Sequence, residues 1–417
     1  MFLIFYECCM TLTGPFKQLL TMDNIPEKGA LSDDQLEIIS DGGILHRDGK
    51  IIETGNFQEL KEKYDTTKIE WVEGDYVVLP GMIDVHTHIC WAGSRAEDYA
   101  LRLSGKSYLE IAELGGGIWD TVEKTRKASV EELADLTEQR ANRLLKMGVT
   151  TIEVKSGYGL SVKQELKILK AISLVNKRIM VDIIPTCLAA HILPKDFKGT
   201  ELEYLDLIVE KLLPEVMSQN LSSRVDIFID KGAFSFIAAK SYLTKVKELG
   251  FDIVIHGDQF NSGTATLANE VQALSLDHLE AADEQEIALL AAGNVIPVVL
   301  PGASLGLGEP FAPARLLLDA GTSLVIASDW NPGTAPMGNL LTEASILGAY
   351  EKLTMAEVWA AITCRAAIAL KLSDRGILRK GNLADFNAFK TDDYKEILYQ
   401  QGQLKAGMVW KNGEIVI

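Results

Sequence analysis

The chain has 417 residues, 47% of them apolar, enough for a large core and for more than one average domain. Its 41 basic and 58 acidic residues leave a net charge of −17, a field that argues against nucleic acid as a partner. No apolar run is long enough to span a bilayer, which excludes a membrane-spanning role, and five cysteines without a Cys-x-x-Cys spacing suit a reduced cytoplasm.

In chain order, Met1–Tyr6 is apolar but lacks a basic flank and a small-residue cleavage site, so a secretory signal is not expected. Met10 is an alternative start, and Cys8 and Cys9 are adjacent. Ile44–Thr54 carries Asp48-Gly49 between short apolar runs, a hairpin signal. The apolar run Val77–Pro80 and Gly81 then lead into Asp84-Val85-His86-Thr87-His88, read as the end of a first buried strand. Alternate side chains of a strand share a side, so His86 and His88 point at one spot. Cys90 reads as a small packing residue beside them.

Ser129 with Glu132 opens a helix ending near Gly148, and Ser161 with Gln164 opens another. Strand-like runs follow at Thr150–Val154, Val181–Thr186, Val225–Ile229, Asp252–Ile255, Ala273–Leu276, Val295–Leu300 and Ser323–Ala327. Helical stretches lie between most of them, such as Phe236–Leu249, Glu284–Ala292 and Ala314–Asp319. Eight strands alternating with helices predict an α/β fold, a (β/α)8 TIM-type barrel over residues 79–379. A doubly wound sheet is the alternative, but no Gly-x-Gly-x-x-Gly follows the first strand. Thr354 with Glu357 caps a helix over Met355–Leu370, and the tail ends in a second hairpin at Asn412-Gly413. Residues 1–78 and 380–417 together read as one small β-sandwich-like domain built from both termini.

Five of the six histidines fall at expected strand ends, where barrels of this type gather function; only His46 lies elsewhere. Any one of them has an ordinary explanation as a buried, hydrogen-bonded side chain, but the shared placement points to a metal. We assign His86, His88 and His256 with Asp329 to one divalent or trivalent ion per chain, zinc or iron, with water in an open position. The metal lowers the pKa of that water. His278 is the candidate base, a role that Asp329 can share. His191 is placed to stabilise the oxyanion that develops on a carbonyl.

Gly93-Ser94-Arg95, Gly115-Gly116-Gly117-Ile118, Glu153-Val154-Lys155-Ser156-Gly157-Tyr158-Gly159, Ala190-His191 and Asp329-Trp330-Asn331-Pro332-Gly333 resemble the imidazolonepropionase family of the amidohydrolase superfamily. The resemblance runs from about Ile44 to the C-terminus. His-x-His alone marks only the superfamily; the two loop motifs are far more specific. The resemblance implies ring opening of 4-imidazolone-5-propanoate by water, giving N-formimidoyl-L-glutamate in histidine degradation. It implies a substrate pocket of Arg95, Tyr158, His191, Gln259, Asn331, Gly333 and Thr334, and a homodimer. The physical reading agrees, because an Arg fork and a Tyr hydroxyl suit a propanoate, and amides suit a polar ring.

Dinuclear relatives bridge two metals through a carboxylated lysine on the fourth strand. Lys231 and Lys155 are both poorly placed for that, so one metal is expected. Deaminases of the superfamily carry a Glu three residues after the fifth-strand histidine, where this chain has Gln259. A heterocycle deaminase is therefore the runner-up. A barrel holding a closed structural metal, or a metal-free binding protein, are readings from other classes.

Overall fold

Thr87 pairs with Trp330, and this bridge closes a ring of eight parallel strands. In the computed structural model, which describes residues 10–65, 68–106, 110–111 and 114–417, the ring consists of Met82–Asp84, Val149–Lys155, Asp182–Ala190, Arg224–Ile229, Asp252–Gly257, Ser275–His278, Ile296–Val299 and Val325–Ile326. Each strand pairs with the next in sequence order. At the seam, Asp329 N–H donates to the His86 carbonyl and His88 N–H to the Trp330 carbonyl, both at 3.0 Å. The backbone that closes the barrel is thus the backbone that carries His86, His88 and Asp329. Met1–Tyr6, Cys8 and Cys9 lie outside the described residues.

The first barrel strand is not the one expected. Val77–Pro80 belongs to a second sheet, where it pairs with Gln18 and Leu19 on one side and with Phe386–Phe389 on the other. The chain crosses to the barrel at Gly81, where a Cβ would sit 2.3 Å from Thr150 Oγ1. Both segments are fully buried, so their apolar patterns run together and hide the break.

The second sheet takes Thr11–Leu20, Ile38–Arg47, Lys50–Asn56, Lys68–Trp71 and Val77–Pro80 from the start of the chain. Phe386–Phe389, Ala406–Lys411 and Glu414–Ile415 come from its end. Phe16, Phe386 and Trp410 form its aromatic core, with Phe386 stacked on Trp410 at 4.6 Å between ring centroids. The turns at Asp48-Gly49 and Asn412-Gly413 both have left-handed φ (+52°, +76° and +53°, +75°), which Asp, Asn and Gly tolerate.

The helices form for local reasons. Ser129 Oγ accepts Glu132 N–H at the start of Val130–Lys146. Its buried Leu133, Ala134, Thr137, Ala141, Leu144 and Leu145 fall at helical spacing on one face. The helix expected over Met355–Leu370 is two, Met355–Ala361 and Cys364–Ala369. Thr363, between them, has φ −133° and ψ −96°, and its hydroxyl donates back to the Trp359 carbonyl. No helix among the described residues is long and apolar enough to cross a membrane.

Candidate metal centre and active site

The strand ends bring four donor atoms together. Nε2 of His86 and His88 are 3.3 Å apart, and Nε2 of His88 and His256 are 3.4 Å apart. Asp329 Oδ1 is 3.5 Å from His86 Nε2 and 3.3 Å from His88 Nε2. Ligand atoms about 2.0–2.1 Å from one ion, at near-tetrahedral angles, sit about 3.3–3.4 Å from each other. All four side chains are buried, and facing lone pairs at this spacing repel unless a cation lies between them. The donors therefore fit one divalent metal.

Protonation agrees. Burial, then Lys155, pulls His86 well below its ordinary value. Burial takes His88 and His256 down to about 3. The rings are neutral, and for His86 and His256 the hydrogen is placed by a partner on the far side. His86 Nδ1 donates to Asp277 Oδ2 at 2.6 Å, and His256 Nδ1 donates to Asp226 at 2.9–3.0 Å. The Nε2 of His86 and of His256 is thereby left with its lone pair toward the centre.

Two of the site residues have strained backbone. His278 has φ +91° and Asp329 φ +51°. A positive φ at a histidine is uncommon and persists only where the surroundings impose it. His278 packs beside the ligands, 5.9 Å from His86 and 5.4 Å from His256 between ring centroids. Its Nδ1 faces Glu280 at 3.4–3.5 Å. Burial lowers its pKa, but Glu280 and then Asp329 and Asp277 outweigh that, so the net shift is upward.

His191 stacks on His88 with centroids 5.4 Å apart, and its Nδ1 lies 3.0 Å from the Gly157 carbonyl. A carbonyl only accepts, so Nδ1 carries the hydrogen. Burial and then His88 push the ring down to about 3, so it is neutral and Nε2 is an acceptor. An oxyanion donor needs an N–H at Nε2, so the role expected for His191 has to be revised. Gly157 permits this contact: its φ is +108°, and a Cβ there would lie 3.0 Å from His191 Nδ1.

Tyr158 sits within 6.0 Å of the His88 ring and 5.7 Å of the His191 ring. Its loop is held by Glu165, which sequence reading did not single out. The buried Glu165 carboxylate accepts N–H bonds from Gly157, Gly159 and Leu160 at 3.0, 2.7 and 2.6 Å. Glu165→Gln puts an amide NH2 against at least one of these N–H groups. It is expected to cost about 1–3 kcal/mol in stability and to raise KM more than it lowers kcat. Urea midpoints and steady-state kinetics check this, and an unchanged KM would remove Glu165 from the positioning of Tyr158.

Arg95 donates from Nε to Asp98 and from Nη1 to Thr121 Oγ1. Asp98 in turn accepts the Gly117 N–H at 2.9 Å, which ties the Gly115-Gly116-Gly117 loop to Arg95. Arg95, Arg102, Arg140, Trp91 and Gly333 line a cleft of about 550 Å³. The backbone N–H of Gln259 donates to Asp230 Oδ2 at 3.0 Å.

The amide of Asn331 is engaged inside its own loop. Its Nδ2 donates to Asp329 Oδ2 at 2.9 Å and to Thr334 Oγ1 at 3.0 Å; its Oδ1 accepts Gly333 N–H and Thr334 N–H, both at 2.8 Å. Asn331 therefore aims the Asp329 carboxylate and shapes the Gly333–Thr334 turn. Cys90 is fully buried and belongs to none of the ligand groups among the described residues.

Asp226, Asp277, Glu153 and Glu280 were not read as site residues from sequence. Asp226 and Glu153 did carry a signal: each is an acidic residue inside an apolar strand run, which burial tolerates only with a partner.

A family model described as the amidohydrolase family matches residues 111–417. An imidazolonepropionase of Bacillus cytotoxicus is 39% identical over 404 residues, 95% of this chain and 94% of that protein. One of Bacillus cereus is 40% identical over 411 residues, 97% of this chain and 96% of that protein. Among solved structures, an atrazine chlorohydrolase of Arthrobacter aurescens complexed with zinc and atraton aligns with TM-score 0.69 at 15% identity, covering 98% of this chain and 95% of that one. An adenosine deaminase of Xanthomonas campestris with bound zinc aligns with TM-score 0.71 at 17% identity, covering 98% and 92%. The two structures support the fold.

Proposed function

We infer the chemistry from one premise: the chain belongs to the imidazolonepropionase family of amidohydrolases. It is a hydrolase that opens the cyclic amide of 4-imidazolone-5-propanoate, giving N-formimidoyl-L-glutamate in histidine degradation. The observation that carries the mechanism is the convergence of three neutral imidazoles and one carboxylate beside a strained histidine.

His86, His88, His256 and Asp329 would hold the metal, zinc or iron, which when bound would activate water near neutral pH. His278, with Asp329 in reach to share the role, would take a proton from the attacking water and return it to the ring nitrogen as the C–N bond breaks. Water thus adds across the amide, its oxygen going to the carbonyl carbon and its hydrogen to nitrogen. His191 accepts a ring N–H of the substrate through Nε2 and so favours the tautomer presented to the site.

The propanoate lies against Arg95, which lines the cleft with Arg102 and Arg140, and the Tyr158 hydroxyl helps hold it. Gln259 offers an amide at the position where deaminases need a carboxylate. Gly333 and Thr334 shape the pocket wall. Residues 10–80 with 380–417 are proposed as one domain and 82–379 as the other, which moves the boundary expected at 79 to the crossing at Gly81. The chain is proposed to work in the cytoplasm as a homodimer, to be checked by light scattering against twice the 45.7 kDa chain mass.

Elemental analysis with a substrate-loss assay tests the reading. The expected result is about one metal equivalent per chain and consumption of imidazolone propanoate without ammonia release. Metal-free enzyme that turns over at the full rate, or release of ammonia, sinks it.

A further inference from the structure

Lys155 ends the second barrel strand with its side chain wholly buried. Its ammonium lies 2.8 Å from Asp226 Oδ2, 2.9 Å from Glu153 Oε1 and 3.9 Å from Asp277 Oδ2. Each of these carboxylates reaches a different part of the metal centre. Asp226 takes the Nδ1 hydrogen of His256, and Asp277 takes that of His86. Glu153 Oε2 accepts the N–H of Thr87, between His86 and His88, at 3.3 Å, and the Thr87 hydroxyl donates to the Glu153 carbonyl at 2.7 Å.

One cation therefore sits at the junction of three carboxylates that address the first and fifth strand ends. Burying such a group is costly before pairing, and apolar residues of similar volume hold a barrel interior as well or better. Packing alone does not account for it.

We propose that Lys155 is a positioning residue that, through Asp226, Glu153 and Asp277, fixes the angle at which His256, His86 and His88 present Nε2 to the metal. This deepens the reading of those histidines as metal ligands and rests on it.

The proposal differs in sign from a plain electrostatic one. If Lys155 acts only as a nearby positive charge, removing it relieves repulsion and tightens metal binding. If it holds the ligand carboxylates in place, removing it loosens binding, because orienting partners of this kind are worth about 10–100-fold in metal affinity.

The test is Co2+ titration of metal-stripped enzyme against a competing chelator, with the visible spectrum of the Co2+ form recorded beside it. The unaltered chain is measured first. Lys155→Met is expected to bind at least about 10-fold more weakly and to show a changed ligand-field spectrum, with Lys155→Arg recovering part of the affinity. KM of metal-saturated enzyme is expected to stay within about twofold, because Lys155 does not face the arginine-lined cleft.

If Lys155→Met does not fold, the double variant Glu153→Gln, Lys155→Met removes cation and carboxylate together. It is still expected to bind metal at least about 10-fold more weakly, since Asp226 has lost its cation. Equal or tighter binding in either folded variant overturns the Lys155 proposal and leaves the ligand assignment intact. An unaltered chain that takes up no metal overturns both.

Discussion

Asp329→Asn is expected to strip the metal centre and to lower kcat/KM by at least about 10²–10⁴-fold, the usual size of a lost proton-transfer group alone. The substitution isolates the carboxylate. Asparagine adopts the left-handed backbone at position 329 as readily as aspartate does, so the φ of +51° adds no cost. The Asn331 Nδ2 still finds an oxygen, but the other position then carries an NH2 aimed at the His86 and His88 Nε2 atoms, now 3.5 and 3.3 Å away. Three nitrogen donors remain, without the negative charge that offsets a divalent ion. Metal content after dialysis against a chelator checks the first half and steady-state kinetics the second. A variant that keeps one metal equivalent and activity within tenfold of the parent removes Asp329 from the ligand set.

The parts of this centre that sequence makes legible are those with a period or a punctuated loop. His86 and His88 are two apart on a strand end, so their convergence follows from strand geometry. Asp329 precedes Asn331-Pro332-Gly333, a turn whose residues fix its shape. Glu153 and Lys155 have the same spacing of two and point inward for the same reason, yet charged side chains in an apolar run do not say which partners neutralise them. Asp226 and Asp277 supply the answer from 71 and 122 residues further along the chain, a distance no local pattern crosses. Glu165 has no sequence signature, because its partners are backbone N–H groups. The false first strand has the opposite cause: Val77–Pro80 and Met82–Asp84 carry one unbroken apolar pattern but belong to two sheets.

His278→Ala should leave metal binding intact while kcat falls by about 10²–10⁴-fold, because the four assigned ligands, His86, His88, His256 and Asp329, all remain. The His278 ring also lies within ligand distance of His86 and His256, so a loss of metal in this variant would move it into the ligand set. The pH profile gives the sharper prediction. His278 works as a base only when neutral, so activity falls as pH drops through its pKa. Glu280 is the first of the neighbours that raise that pKa against burial. Glu280→Gln therefore moves the acid limb of kcat/KM to lower pH, since less acid is tolerated only while the carboxylate favours the imidazolium.

Stability carries the same sign. A histidine whose folded pKa is raised adds stability that is present below its unfolded value of 6.5 and is lost as pH rises through the folded value. Glu280→Gln therefore lowers the urea midpoint at acid pH more than through this histidine at alkaline pH. An acid limb that stays in place or moves upward would show that another group, Asp329 foremost, takes the proton.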